Sequence, residues 1–245
     1  MNPTLHDTHF HLDLIDRAYD VMEKIEQAKI YTIAVTNVPE VFGHTNTLVK
    51  DSKYIRAALG LHPELAAQHR HQLSLFHELL SQTRYVGEVG LDNHNKSVED
   101  FHYQKQVFEK ILLACGTATG KILTVHSRRA EREIIDMIGV GFPGKIILHW
   151  YSGSLAELDR ALSSGFYFSI NHAMTQSENG KKIINRVPTD RILLETDGPF
   201  IKIADSPCDP TVIPQIVEKI ISLKKVERPD FSVFDLYNNF KTLIS

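Results

Sequence analysis

Histidines and carboxylates recur in this chain just after short apolar runs. Asp7-Thr-His9-Phe-His11 closes the first run, Gly60-Leu-His62-Pro63 the third and Gly87-Glu88-Val-Gly90-Leu-Asp92 the fourth. His126-Ser127-Arg128 follows the fifth, His149-Trp150 the sixth, Asn171-His172 the seventh and Glu195-Thr-Asp197-Gly-Pro199 the eighth. Random placement would scatter such residues over helix faces and strand interiors. His9 and His11 are two apart, so on a strand both imidazoles face the same way, a spacing suited to capturing one divalent ion. Glu88, His126, His149 and Asp197 add two carboxylates and two imidazoles. That donor set suits zinc, manganese, iron or water-assisted magnesium without choosing among them. Six ligands exceed the three protein ligands of one catalytic zinc. They match two ions joined by a bridging carboxylate, which can clamp the attacking and leaving oxygens of a hydrolysis.

The elements that must position these residues follow from periodicity. Eight β-rich runs stand out: Leu5–Phe10, Ile30–Thr36, Tyr54–Leu59, Tyr85–Val89, Ile122–Val125, Lys145–Leu148, Phe166–Ile170 and Arg191–Leu194. Amphipathic stretches lie between them, among them Ala18–Ala28, Gln72–Leu80, Val98–Ala114, Ala130–Ile138, Leu155–Leu162 and Ser177–Arg186. In Val98–Ala114 the apolar residues largely keep the i, i+3, i+4, i+7 face of a helix. Alternating strands and helices imply right-handed crossovers and a parallel sheet. Eight such units in 245 residues predict an α/β fold, a single (β/α)8 TIM barrel spanning residues 1–245 as one domain. A doubly wound open sheet is the alternative. A helix over Asp209–Leu223 follows the last strand, and an extra C-terminal helix over Pro229–Leu243 is expected to pack on the outside. In such a barrel the active site lies at the C-terminal ends of the strands, where the polar residues cluster.

Composition excludes several classes. The chain is 42% hydrophobic and 23% charged, with a net charge of −3, which is neither disordered nor fibrous. The apolar runs are too short to span a membrane. Met1 to Asp13 lacks the basic start and apolar core of a signal peptide. Cys115 and Cys208 form no CxxC pair, so a disulfide framework and a cysteine-built zinc site are excluded and a reducing cytoplasm is expected. The charge also excludes a strongly basic protein that coats nucleic acid. The 13 histidines are the one compositional excess.

Taken together the motifs resemble the signatures of the TatD metal-dependent deoxyribonucleases. They are Asp7-x-His9-x-His11-Leu12-Asp13, Gly60-x-His62-Pro63, Gly87-Glu88-x-Gly90-Leu91-Asp92, His126-Ser127-Arg128, His149-x-x-Ser152-Gly153 and Glu195-Thr196-Asp197-x-Pro199. Gln104 and Phe108 also match positions that the family carries on the helix after strand four. The resemblance implies an amidohydrolase-type barrel, two divalent ions (magnesium, manganese or zinc) and hydrolysis of nucleic-acid phosphodiesters, often from a 3′ end. His9, His11, Glu88 and Asp197 would hold the first ion; Glu88, His126 and His149 would hold the second, with Glu88 bridging. Asp197 would orient or deprotonate the attacking water, and His62 and Arg128 would meet the scissile phosphate, Arg128 through its fixed fork of donors.

The rim departs from the family pattern. Gly198 stands where alanine or serine is usual, and Asp205-Ser-Pro-Cys-Asp-Pro210 replaces an Arg-Asn-x-Pro motif. His149-Trp-Tyr-Ser-Gly153 and Glu195-Thr-Asp-Gly-Pro-Phe200 resemble the QatD branch, a subunit of a bacterial anti-phage defence system. Its partners would be a single-stranded DNA substrate or strand ends, and other defence proteins. Two alternatives stay open: a hydrolase of a carbonyl ester or amide such as an aminoacyl-RNA bond, and a mainly partner-binding subunit using Phe231, Phe234, Leu236, Tyr237 and Phe240.

Structural roles compete at several positions. Asp7 reads as a supporting acceptor for the ligands, Glu195 as an ion-pair partner and His172 as a loop residue. Asp92 is either a loop cap or a ligand-supporting or substrate-binding group. Trp150 either stacks on a base or packs the rim. His69, His71 and His77 are expected to face solvent, and His6, His44, His94 and His102 to lie at the surface. Lys96, Arg128, Arg129, Arg132 and Lys202 could ring the mouth with positive charge.

Overall fold

The computed structural model describes residues 3–245, so the reading of Met1 and Asn2 at the start of the chain lies outside the described residues. Eight parallel strands form the barrel. They are β1 (His6–Phe10), β2 (Tyr31–Ala34), β3 (Ile55–Ala57), β4 (Tyr85–Gly90), β5 (Ile122–His126), β6 (Lys145–His149), β7 (Tyr167–Ile170) and β8 (Ile192–Leu194). The intervening helices are α1 (Ala18–Ala28), α2 (Pro39–Leu48), α3 (Ala66–His69), α4 (Leu73–Leu79), α5 (Val98–Ala118), α6 (Glu131–Ile138), α7 (Leu155–Ser163), α8 (His172–Gln176) and α9 (Glu178–Arg186). After β8 come a two-stranded hairpin, β9 (Lys202–Ile203) and β10 (Ser206–Pro207), then α10 (Ile213–Lys224) and α11 (Val233–Ile244). Ser97, Ser154, Asn171 and Ser177 each cap a helix by accepting a backbone N–H from the first turn. Helix α2 was not legible in the sequence. Its Gly43, Thr45 and Thr47 are weak helix formers, and Pro39 at its first position is what starts it.

Two arcs of strands, β1-β2-β3 and β4 through β8, close at two seams. At the first, Leu59 N–H donates to Tyr85 O at 3.0 Å and Gly87 N–H donates to Leu59 O at 2.9 Å. At the second, side chains of β1 do part of the work of a ladder. Thr8 Oγ1 donates to Leu194 O at 3.1 Å, and Leu194 N–H donates to His6 Nε2 at 3.1 Å. Asp197 N–H to His9 O at 2.9 Å and His11 N–H to Gly198 O at 3.0 Å then complete the closure.

Two register irregularities decide which side chains enter the lumen. In β1 one extra residue is accommodated between Asp7 and Phe10, and in β4 one between Val86 and Val89. Such bulges re-aim side chains. Strict alternation from inward-facing Tyr85 would turn Glu88 outward, and the extra residue turns it inward. Gly87 permits the bulge, since a Cβ there would lie 2.1 Å from Thr124 Cγ2.

The main core lies between barrel and helices, with Phe10, Ile25, Phe42, Phe76, Phe108 and Phe168 fully buried. A second cluster fills the lower lumen: Ile33, Val35, Ala58, Tyr85, Ile122, Ile147, Tyr167 and Leu193, joined by Phe240 and Leu243 of α11. The C-terminal helix therefore plugs the N-terminal end of the barrel, a correction to its expected place on the outside. Its Leu236 and Phe240, and Phe231 just before it, are buried in the fold, which leaves Phe234 as the exposed member of the apolar face that could meet a partner.

His6 is a further correction. It is not a surface residue but fully buried, stacked on Phe240 with ring centroids 4.4 Å apart. Burial pushes its pKa down to about 3, so it is neutral in the fold, where Nε2 accepts the Leu194 N–H. A folded pKa below the unfolded one gives stability that is complete above about pH 6.5 and is lost as pH falls towards 3. By pH 5 the loss is on the order of 2 kcal/mol at 1.36 kcal/mol per pH unit. His6→Phe keeps the stacking but orphans Leu194 N–H. It is expected to be less stable than wild type at pH 7, by about 1–3 kcal/mol, and to lose less stability between pH 7 and pH 5. Urea unfolding at the two pH values checks this; equal losses in both proteins would refute it.

Candidate metal centre

Six of the side chains singled out above converge at the C-terminal mouth of the barrel, around one carboxylate. Glu88 Oε2 lies 3.4 Å from His9 Nε2 and 3.3 Å from His11 Nε2. Those two imidazole nitrogens are 3.2 Å apart, and Asp197 Oδ1 sits 3.8 and 3.5 Å from them. Glu88 Oε1 faces the other way, 2.6 Å from His126 Nδ1 and 2.9 Å from His149 Nε2, which are 3.3 Å apart. Side chains of β5, β6 and the loop after β8 thus meet those that the two bulges turn inward from β1 and β4.

The donor chemistry fits divalent ions. An ion bound at about 2.05 Å by nitrogen or oxygen needs its ligand atoms roughly 3.3 Å apart at the edges of a tetrahedron. The spacings of the His9, His11, Glu88 and Asp197 atoms match that edge. With no ion bound a proton on His11 Nε2 can lie between the two nitrogens, and a divalent cation that takes its place meets both lone pairs. Other groupings also fall within reach of one ion, namely His9 with Glu88 and His149, and His62 with Glu88 and His126.

Tautomers separate ligands from donors. His126 Nε2–H donates to Asp92 Oδ2 at 2.8 Å, so Nδ1, which faces Glu88 at 2.6 Å, is the nitrogen that offers a lone pair to an ion once its proton leaves. His9 Nδ1 is engaged with Thr124 Oγ1 at 2.8 Å, which directs Nε2 inward. His62 is arranged in the opposite sense. Its Nδ1 accepts the Glu64 N–H at 3.2 Å, so the proton is on Nε2, 3.3 Å from Glu88 Oε1. A protonated nitrogen offers no lone pair to a metal. His62 therefore presents a hydrogen-bond donor into the cavity.

The charges follow from burial. For Glu88 desolvation opposes ionisation, but His62, His149 and His9 outweigh it and hold the carboxyl well below the usual range. Burial, reinforced by His149, lowers His9 to about 4. In His11 and His126 burial is outweighed by carboxylates. Asp197 and Glu88 lift His11 to about 10, and Asp92 and Glu88 lift His126 to about 9.

Three buried carboxylates stand behind the ligands. Asp7 accepts the backbone N–H groups of His9 and Thr196 at 3.0 and 3.1 Å, tying β1 to the loop after β8. Desolvation raises its pKa to about 7. Glu195 is a hydrogen-bond hub, and the ion pair expected of it is a long contact to His149. It accepts from Trp150 N–H at 2.9 Å, Asn171 Nδ2 at 2.8 Å and the Ser169 hydroxyl, while His149 Nδ1 is 3.9 Å away. Burial and neighbouring Asp197 raise its pKa well above the usual range. Asp92 is 1% exposed. Its Oδ1 accepts the His94 N–H at 2.7 Å and its Oδ2 holds His126, so it positions His126 while also lining the cavity. Gln104 fixes Asp92 in turn by accepting its N–H at 2.7 Å.

Asp197 and Trp150 adopt left-handed backbone conformations, φ +50° and +38°, which cost energy for residues other than glycine. The Glu195 bond to Trp150 N–H and the Asp197 N–H bond to His9 O hold these two turns in place.

Arg128 and Trp150 line a cavity of about 460 Å³ above the ligands, with Ser127, Ser152, Glu64 and Phe200. The basic rim is weaker than expected, because Lys96 is paired with Glu64 at 2.7 Å. Sequence reasoning missed Asn37, which approaches His11 Nδ1 at 3.4 Å, as well as Thr124 and Phe200. Thr124 carried a signal, two residues before His126 on the same strand face. At the end of β7 the residue that serves the site is Asn171, while His172 opens α8. His69 and His94 are half-buried, not solvent-facing. The altered rim is the β9–β10 hairpin, and it explains Gly198. A Cβ there would lie 1.9 Å from Cys208 O.

Comparison with known proteins adds four findings. A family model described as TatD related DNase matches residues 6–245. The chain is 29% identical over 238 residues to the uncharacterized metal-dependent hydrolase YabD of Bacillus subtilis, covering 91% of this chain and 92% of that protein. It is 26% identical over 215 residues to human deoxyribonuclease TATDN3, covering 80% and 78% of the two chains. The crystal structure of YJJV, a TATD homolog from Escherichia coli, superposes with a TM-score of 0.85 at 24% identity, covering 98% of this chain and 97% of that one.

Removing one oxygen's charge behind a metal-binding histidine typically weakens metal affinity about 10–100-fold. Asp92→Asn is expected to lose affinity in that range with its circular dichroism spectrum intact. Because His11 and His126 are protonated at pH 7, metal uptake should also release protons. Titration calorimetry in two buffers of different ionisation enthalpy reads both; unchanged affinity and buffer-independent heats would refute the assignment.

Proposed function

This chain belongs to the TatD-related DNase family of metal-dependent hydrolases, and from that premise we propose that it is a two-metal phosphodiesterase acting on single-stranded nucleic acid or strand ends. The observation that carries this reading is the division of Glu88, whose two carboxylate oxygens face two separate groups of ligand atoms. His9, His11, Glu88 and Asp197 would hold one ion, and Glu88, His126 and His149 the other. Divalent ions held by these residues would supply positive charge to offset the charge that develops on a phosphoryl group and on its attacking and leaving oxygens.

The protein's own residues supply the rest. Asp197, at the cavity floor, accepts the proton of the attacking water through its carboxylate. The Nε2–H of His62 donates to a non-bridging phosphate oxygen, a role supported by its tautomer. Arg128, exposed at the wall, meets the same phosphate with its planar fork. Asp7 and Glu195 lie outside the cavity lining and, with Asp92, hold the ligand backbones and rings at fixed positions. Trp150 contacts the nucleic acid from the rim.

The net charge of −3 supports short or single strands over long duplex, because a chain with few free cations gains little from displacing backbone counterions. The motifs His149–Gly153 and Glu195–Phe200 support the QatD branch, in which the hydrolase would act as one domain beside other defence proteins. Two free thiols, Cys115 and Cys208, support a reducing compartment, and among the described residues no helix is long and apolar enough to cross a membrane.

Metal analysis of the purified protein should give two divalent ions per chain. An end-labelled single-stranded oligonucleotide should be cleaved in a chelator-sensitive reaction. Asp197→Asn should slow that cleavage by about 10²–10⁴-fold, the range of a general base. Full-strength cleavage by the variant, or cleavage indifferent to chelator, would overturn the mechanism.

A further inference from the structure

Two aromatic side chains stand exposed at the cavity, one beside each group of ligands. Trp150 directly follows His149 and is 38% exposed; Phe200 lies three residues beyond Asp197 and is 60% exposed. Of the large apolar side chains exposed among the described residues, these two alone line this cavity. Exposed apolar surface at a polar cleft points to contact with a ligand.

The backbone of each is anchored. Phe200 N–H donates to Asp197 O at 3.0 Å, and its ring meets the His11 imidazole edge to face, with centroids 5.0 Å apart and planes at 90°. The next residue, Ile201, is bonded to Asp197 O and to Cys208 N–H, so the hairpin β9–β10 braces Phe200 from behind. Trp150 is fixed by the bond from its N–H to Glu195 and by the left-handed turn of its backbone. The backbone under each ring is thus already ordered, which limits what binding has to order.

We infer that Trp150 and Phe200 are stacking platforms for unpaired nucleobases on the two sides of the scissile phosphate. The inference rests on the phosphodiesterase reading and deepens it by naming what selects the substrate. Stacking on an aromatic side chain is open to every base, since each has a π-face, so these platforms impose no sequence preference. They do impose strandedness. A base inside a duplex is already stacked and paired and must be unstacked before it can reach Phe200 or Trp150. With the net charge at −3 and Lys96 neutralised by Glu64, base stacking takes over the affinity that a basic groove supplies elsewhere.

Trp150 is the only tryptophan in the chain, so its fluorescence reports the platform directly. The metal-loaded protein is titrated with thymidine 5′-monophosphate and, in parallel, with base-free 2-deoxyribose 5-phosphate. The nucleotide is expected to quench the fluorescence and the sugar phosphate to leave it unquenched. Phe200→Ala should weaken nucleotide binding about fivefold or more, the low end of the range for one stacked base, and Phe200→Tyr should restore it. The ratio of kcat/KM on a single-stranded oligonucleotide to kcat/KM on methyl 4-nitrophenyl phosphate, a diester without a base, should fall by the same factor in Phe200→Ala. Tyr19→Ala, which removes an exposed aromatic outside the cavity, should change none of these readings. Equal quenching by nucleotide and sugar phosphate, or full nucleotide affinity in Phe200→Ala, would overturn the inference. Failure of the loaded wild type to hydrolyse either diester would instead remove the phosphodiesterase reading, and the fluorescence result would still stand.

Discussion

The rest of the structure is arranged around a fully buried carboxylate that must stay ionised. Glu88 sits where desolvation alone would neutralise it, and only the ring of imidazoles from β1, β5 and β6 and from the loop after β3 holds its charge. A buried anion of this kind is costly unless it is matched by cations or donors on every side. The barrel supplies that match by closing on itself, which brings strand ends that are far apart in the chain to within hydrogen-bond distance of one side chain.

Closure and site are physically the same event. The backbone bonds that seal β8 against β1 run through His9, His11, Asp197 and Gly198, so the seam cannot form without setting the ligands in register. Asp7 ties the same two segments together from the outer side, and Glu195 ties the end of β8 to β6 and β7. Each ligand is thus positioned by a neighbour that is itself fixed by the fold. At the opposite end α11 plugs the lumen with Phe240 and Leu243. The barrel is therefore apolar at its base and ionic at its mouth, and the ligand cluster rests on a dry, packed floor.

The rim is a separate layer built on this frame. The β9–β10 hairpin approaches so closely that position 198 has no room for a Cβ, and in return it braces Phe200 beside the ligands. Departures from the family pattern at Gly198 and Asp205–Pro210 are therefore one change and not two. They alter what surrounds the substrate while leaving the ligand set untouched.

The sequence by itself determined the repeating strand–helix order and the identity of the chemical groups, because periodicity and residue type are local properties. Eight runs, seven of them followed by polar residues, sufficed for the barrel, and the i, i+2 spacing of His9 and His11 sufficed for a shared face. Tertiary structure alone decided the orientation of Glu88, since a one-residue bulge reverses the alternation that the sequence implies. It alone decided that His6 is buried under Phe240, that Asp92 serves His126 and that His62 is a donor, because each outcome depends on a partner distant in the chain. The 13 histidines divide on the same ground. Side-chain chemistry made them all eligible, and only the closed barrel chose which would share a carboxylate.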